Sequence, residues 1–159
     1  MNKFLLIACA LAGVMLGQEP HKIPASTPLK EYLYASDGFA IKFPYAPEPH
    51  TDATQPDFKV WTVHLSQRAA LSIRTMADSL PCDVALDRLK SMAKYPIREF
   101  SVSGRPAWEV KAHLRGDMMS SERYVCGVGR YYFMSFAWPA SESRPQLGTE
   151  IMDSFRLVK

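Results

Sequence analysis

The stretch Ser36-Asp37-Gly38-Phe39-Ala40-Ile41-Lys42-Phe43-Pro44 decides how this chain is read. Asp-Gly supplies a backbone with positive φ cheaply, so Ser36–Gly38 is a turn. Phe39, Ile41 and Phe43 then alternate with Ala40 and Lys42, the period of a strand with one face in a core. Pro44 cannot extend a ladder and stops it. Upstream, Lys30 to Ala35 reads as a partner strand, with Tyr32 and Tyr34 on one face and Leu33 on the other, so the two form a hairpin.

Working outward, Pro44, Pro47, Pro49 and Pro56 exclude a long strand or helix before Asp57. Phe58 to Leu65 and Ala70 to Met76 read as a second hairpin, with Trp61, Val63, Leu71 and Ile73 inward and Ser72 and Arg74 outward. Pro81 to Tyr95 carries Val84, Ala85, Leu86, Leu89, Met92 and Ala93 at helical spacing, with Asp83 early and Lys90 and Lys94 late. Strands follow at Ile97–Val102 and Pro106–Arg115, about a Ser103-Gly104-Arg105 turn. In the second of these, Trp108, Val110, Ala112 and Leu114 share one face, and Glu109, Lys111, His113 and Arg115 the other. Met118–Cys126 and Arg130–Trp138 make a last hairpin around Gly127-Val128-Gly129. The final strand is apolar on both faces, which predicts a central position covered on both sides. Ser141 to about Phe155 is a closing helix, and Arg156-Leu157-Val158 a candidate terminal strand. Gly148 is the weak point of that helix.

The N-terminus has a different character. Lys3 precedes an uncharged apolar run from Phe4 to Leu16, closed by Gly17 and Gln18-Glu19-Pro20. This is the layout of a secretory signal peptide over 1–17, although Met15 fits the small-residue rule at the cleavage site poorly. The run is too short for a comfortable membrane span. Leu6-Ile7-Ala8-Cys9 also matches a bacterial lipobox, but only five apolar residues precede Cys9. Cleavage there would leave an apolar tail on the mature chain, so the lipoprotein reading is set aside. An uncleaved N-terminal anchor is a further alternative. Residues 18–29 read as an extended linker, punctuated by Pro20, Pro24 and Pro28, and 30–159 as one domain. The expected location is periplasmic or extracellular.

Charge and chemistry narrow the function classes. The formal net charge is +3, and loss of Lys3 with the leader makes it +2, with no basic cluster interleaved with aromatics. Nucleic-acid binding is not expected. Export leaves Cys82 and Cys126 in an oxidising compartment, where a disulfide is permitted; two buried free thiols remain the alternative. His21, His50, His64 and His113 lack metal-ligand spacing, so neither a metal nor another cofactor is expected. Ser101-Val102-Ser103-Gly104 is not a nucleophile elbow. Either cysteine beside His113 would be a thiol pair only if unpaired with the other. Asp83 and Asp87 lie four apart on a helix and read as a solvated face. Tyr131, Tyr132, Phe133, Phe136, Trp138 and Trp108 could line an apolar pocket but read first as core. Arg74, Lys111, His113, Arg115 and Arg123 fall on outward strand sides and would form a basic surface if their strands are adjacent.

Three segments in order carry a resemblance: Ser36–Pro44; then Val102-Ser103-Gly104-Arg105-Pro106-Ala107-Trp108-Glu109 with Arg123-Tyr124-Val125-Cys126-Gly127-Val128-Gly129-Arg130-Tyr131-Tyr132; and Asp153-Ser154-Phe155-Arg156-Leu157. Together they resemble small exported bacterial proteins with the PsbP/Mog-like fold, over about Tyr32 to Leu157. The resemblance implies an α+β domain, an antiparallel sheet of about six to eight strands flanked by two main helices in an α/β/α sandwich. It implies no catalytic residues. The expected function is a non-enzymatic interaction or accessory domain with an unidentified protein partner in the cell envelope. The alternative is a small carrier holding an apolar or anionic ligand between sheet and helix.

Overall fold

A computed structural model describes residues 23–24, 26–52, 55–77, 81–92, 94–142 and 145–158. The expected leader, its lipobox and the first part of the linker lie outside the described residues. The end of that linker does touch the domain: Ile23 N–H donates to the Leu65 carbonyl at 3.0 Å, and Ile23 and Leu29 pack against the core.

Among the described residues, ten strands form two antiparallel sheets. The small sheet holds β1 (Lys30–Tyr34), β2 (Phe39–Phe43) and β10 (Arg156–Leu157), with β2 in the middle. A 3-10 turn over Ala35–Asp37 and Gly38 at φ 75° join β1 to β2, as the Asp-Gly pair requires. The large sheet comprises β3 (Pro49–Asp52), β4 (Gln55–His64), β5 (Ala70–Ala77), β6 (Ile97–Val102), β7 (Arg105–His113), β8 (Met118–Cys126) and β9 (Arg130–Pro139). Its order is β3-β4-β5-β9-β8-β7-β6. The doubly apolar strand β9 is therefore the middle one of seven, as its composition predicts.

The single sheet of about six to eight strands is corrected to two sheets of three and seven. The β1–β2 hairpin does not extend the large sheet. It lies across it, with Phe39, Ile41 and Phe43 in one core with Trp61, Val63, Leu71, Ile73, Met134 and Phe136. One short strand, β3, escapes the sequence reading, and β4 starts at Gln55 rather than the expected Phe58, because prolines punctuate both. Pro49 begins the edge strand β3, and Pro56 enters β4 before its pairing with β5 starts at Lys59. Pro49 sits where, among the described residues, one side of the ladder is vacant and a missing N–H costs little.

Helix α2 (Gln146–Asp153) is shorter than the expected Ser141–Phe155. Leu147, Ile151 and Met152 bury on the same core as the small sheet. Gly148 does not break this helix. A Cβ there would overlap the Phe136 ring, so glycine lets the helix lie directly on β9.

Helix α1 (Cys82–Met92) lies on the opposite face of the large sheet. Among the described side chains, three ties hold it, at successive fours along one stripe. Cys82 is disulfide-bonded to Cys126 at the end of β8, with Cα atoms 5.8 Å apart, a normal span for such a bond. Leu86 is buried in a small cluster with Trp108, Val110 and Cys126. Lys90 Nζ pairs with Glu99 on β6 at 2.7 Å. Val84 stays exposed. Among the described side chains, Leu86 buries and Lys90 forms a surface ion pair, and the disulfide is the one covalent tie on which α1 depends. Closing this loop stabilises the fold by about 3–4 kcal/mol on the chain-entropy account. Reduction, or Cys82→Ser with Cys126→Ser, should lower stability toward denaturant by about that amount. It should also raise amide exchange across Cys82–Met92 while β9 stays protected. Unchanged exchange in α1 would contradict this dependence.

Candidate functional site: a charged cleft beside the edge of the large sheet

Two hairpins decide which side chains meet. The two-residue turn Ser103-Gly104, both with positive φ, fixes Val102 opposite Arg105 and hence Arg98 opposite Glu109. The β7–β8 register sets Glu109 opposite Arg123. Arg98, Glu109 and Arg123 therefore form one cross-strand row of alternating charge. In that row Arg98 Nη2 lies 2.8 Å from Glu109 Oε2, and Arg123 Nε donates to Glu109 Oε1 at 3.2 Å. Ser121 Oγ donates to the same oxygen at 2.6 Å. Arg123 Nη2 reaches Asp153, the last residue of α2, at 2.6 Å. The guanidinium carbons of Arg98 and Arg123 sit 5.2 and 5.5 Å from the centre of the Phe100 ring.

The side chains of Arg123 and Glu109 are only 5% and 4% exposed, whereas Arg98 is 63% exposed. The row runs from a nearly dry pair out to a wet guanidinium at the edge strand β6. Beside it opens a cleft of about 470 Å³ lined by Pro96, Arg98, Glu109, Lys111, Arg123, Thr149 and Asp153. A second, shallower hollow of about 640 Å³ lies around Ser26–Leu29, Lys42, Glu150 and Ser154, and shares Asp153 with it.

The expected basic surface does not assemble. Lys111, His113 and Arg123 share the cleft-side face with Glu109, but Arg74 pairs with Phe133 and so lies on the other face. Arg115 falls past the end of β7. Arg123 is not outward at all: it is buried between two carboxylates. The reading failed because both faces of the large sheet are covered. Trp108 and Val110 face α1, so the charged side of β7 is the side that carries the main core further along the sheet.

On the α1 face, Trp108 stacks on Tyr124 with centroids 3.9 Å apart, and Tyr124 lies 4.6 Å from Phe133. The Arg74 guanidinium is 5.6 Å from Phe133. Burial pushes the Glu122 carboxyl above its ordinary range, against a hydrogen bond from Tyr124 and the charge of Arg74. Burial likewise raises the Tyr124 phenol. The remaining candidates are dispersed. His64 and His113 stand on opposite faces of the large sheet, with three strands between theirs. The two cysteines are bonded to each other, which removes the thiol–His113 pair. Among the described residues there is no cluster of metal-ligating side chains, and no helix is long and apolar enough to cross a membrane.

The fold these strands define is α+β and PsbP-like. A solution structure of cyanobacterial PsbP (CyanoP) from Synechocystis is similar, with a TM-score of 0.57 at 12% identity, covering 96% of this chain and 98% of that one. A crystal structure of a Bacteroides thetaiotaomicron protein is similar with a TM-score of 0.57 and 12% identity; the match covers 82% of this chain and 48% of that one. Neither a family model nor a curated protein matches the sequence.

Glu109→Ala would leave the buried Arg123 without its inner carboxylate and should cost about 3–5 kcal/mol, while Asp153→Ala, at an exposed partner, should cost under about 1 kcal/mol. Chemical denaturation of both variants checks the ranking. For Glu122 the raised carboxyl means that its charge is disfavoured in the folded state. That stability is whole below the ordinary value of 4.5 and declines as pH rises through the raised one. Glu122→Gln should therefore stabilise the fold at neutral pH and change little near pH 4, read from urea midpoints at both.

Proposed function

We propose that this chain is an exported, non-enzymatic interaction domain that meets a protein partner in the cell envelope through the charged cleft. The observation that carries the reading is the cleft's construction. A nearly dry Arg123–Glu109 pair is held by Ser121 and Asp153 and opens onto the exposed Arg98 and Lys111. Buried charges of this kind are costly to desolvate and contribute little net stability. They do fix the position of surface charges rigidly, which serves recognition. The carboxylates and guanidiniums are committed to one another, an arrangement suited to binding rather than to proton transfer. Export is supported by the signal-like N-terminus and by the disulfide, which fits an oxidising compartment. The PsbP-like fold supports an accessory role only by analogy.

The carrier alternative finds less support. Gly148 brings α2 into contact with the Phe136 ring, and Leu147, Ile151 and Met152 fill the space between that helix and the sheets. An apolar ligand has no room at that contact. Affinity capture from the native envelope fraction tests the proposal. Wild-type protein and a control, Arg88→Glu on the exposed side of α1, should retain the same partner, and Lys111→Glu should lose it. Recovery of the same partner by Lys111→Glu would overturn the role of the cleft, as would a small molecule copurifying in place of any protein.

A further inference from the structure

The charged row ends at an edge. Among the described residues, β6 is the outermost strand of the large sheet, with β7 its neighbour on one side and no strand on the other. Reading outward from β8, the row runs Arg123, Glu109, Arg98, that is positive, negative, positive. Arg98 is held on one side only, by Glu109 and by the Phe100 ring, and its other side faces solvent. Among the described residues no carboxylate pairs with the Lys111 ammonium, two residues along β7 from Glu109 on the same face. The side chains lining the cleft include three cations and two carboxylates, leaving one net positive charge.

We infer that the β6 edge accepts an extended segment of the partner as an added strand, with an acidic side chain opposite Arg98 and within reach of Lys111. This rests on the reading of the cleft as a partner site and names the chemistry it takes. An added strand satisfies the free backbone groups of β6, which gives affinity without sequence preference. Specificity comes from the next place in the alternating row, which calls for a carboxylate. A single negative charge matches the net charge of the cleft, whereas a phosphate would bring a second charge toward Glu109 and Asp153. Arg98 is already oriented by Glu109, so little side-chain freedom is lost when the acid arrives.

The test uses the full mature chain and a set of blocked hexapeptides alternating glutamate with valine or threonine. Their glutamine counterparts, glutarate and inorganic phosphate serve as comparison probes. The glutamate peptides should bind about tenfold tighter or more than the glutamine ones. They should slow amide exchange in Ile97–Val102 and shift the Arg98 Nε–H resonance. Arg98→Ala and Lys111→Ala should each remove most of the glutamate preference while leaving the residual strand binding. Equal affinity for both peptide sets, or a glutamate preference that survives Arg98→Ala, would overturn the inference. So would glutarate or phosphate binding as tightly as the peptides, or no peptide binding at millimolar concentration. A captured partner whose retention depends on Lys111, together with any of those results, would sink the acidic strand and spare the interaction domain.

Discussion

The two sheets are held to each other through Phe39. Its ring lies 4.9 Å from Tyr34, 5.1 Å from Trp61, 5.7 Å from Tyr132 and 5.4 Å from Phe155. Those partners come from β1, β4, β9 and the segment between α2 and β10, so one side chain joins four parts of the chain. Full burial of such a ring stabilises the fold by about 2–3 kcal/mol, before the geometry of its edge and face contacts is counted. A polar tie works at the same corner. The Tyr132 hydroxyl donates to the Asp37 carbonyl at 2.7 Å, and the Asp37 carboxylate pairs with Lys59 and Arg130 at 2.7 and 3.3 Å. The turn that begins β2 is thereby pinned to β4 and β9, and the small sheet cannot slide over the large one without breaking both ties.

This arrangement determines where charge can gather. The small sheet and α2 cover the inner face over β4, β5 and β9, where the row Trp61, Ile73, Met134 is apolar. The same row continues outward as Arg123, Glu109 and Arg98. Its polarity changes where the covering layer ends and α2 offers Asp153 as the border. The disulfide and α1 occupy the opposite face, so neither side of β7 is free sheet surface at Trp108 and Glu109. A domain built this way exposes a rigid strip of charge at one edge.

Much of the local structure was legible because turn chemistry and alternation agree. The boundaries of β2, β6 and β8 follow from Gly38, Pro44, Ser103-Gly104 and Gly127, and the central place of β9 follows from its two apolar faces. The division into two sheets was not legible, because a hairpin packed across a sheet has the same one-sided alternation as a hairpin within it. The site was misread for a related reason. Alternation tells which residues of β7 share a face, but not what covers that face. Glu109 was placed outward with Lys111 and is instead almost fully buried. A signal was present: the Ser103-Gly104 turn alone sets Arg98 opposite Glu109, an opposite-charge pair on adjacent strands. Asp153 and Phe100 enter only through tertiary contacts that no local pattern records.

Gly148 acts as a spacer of zero thickness. Where other core positions set the gap between layers by interlocking side chains, here the aromatic ring of Phe136 meets bare helix backbone. The distance of α2 from β9 is thus set by half the thickness of a ring. Thr149 follows in sequence and Asp153 lies just over one turn further on, both on the cleft wall. The width of the cleft, and the reach of Asp153 to Arg123, are gauged by a residue that touches neither.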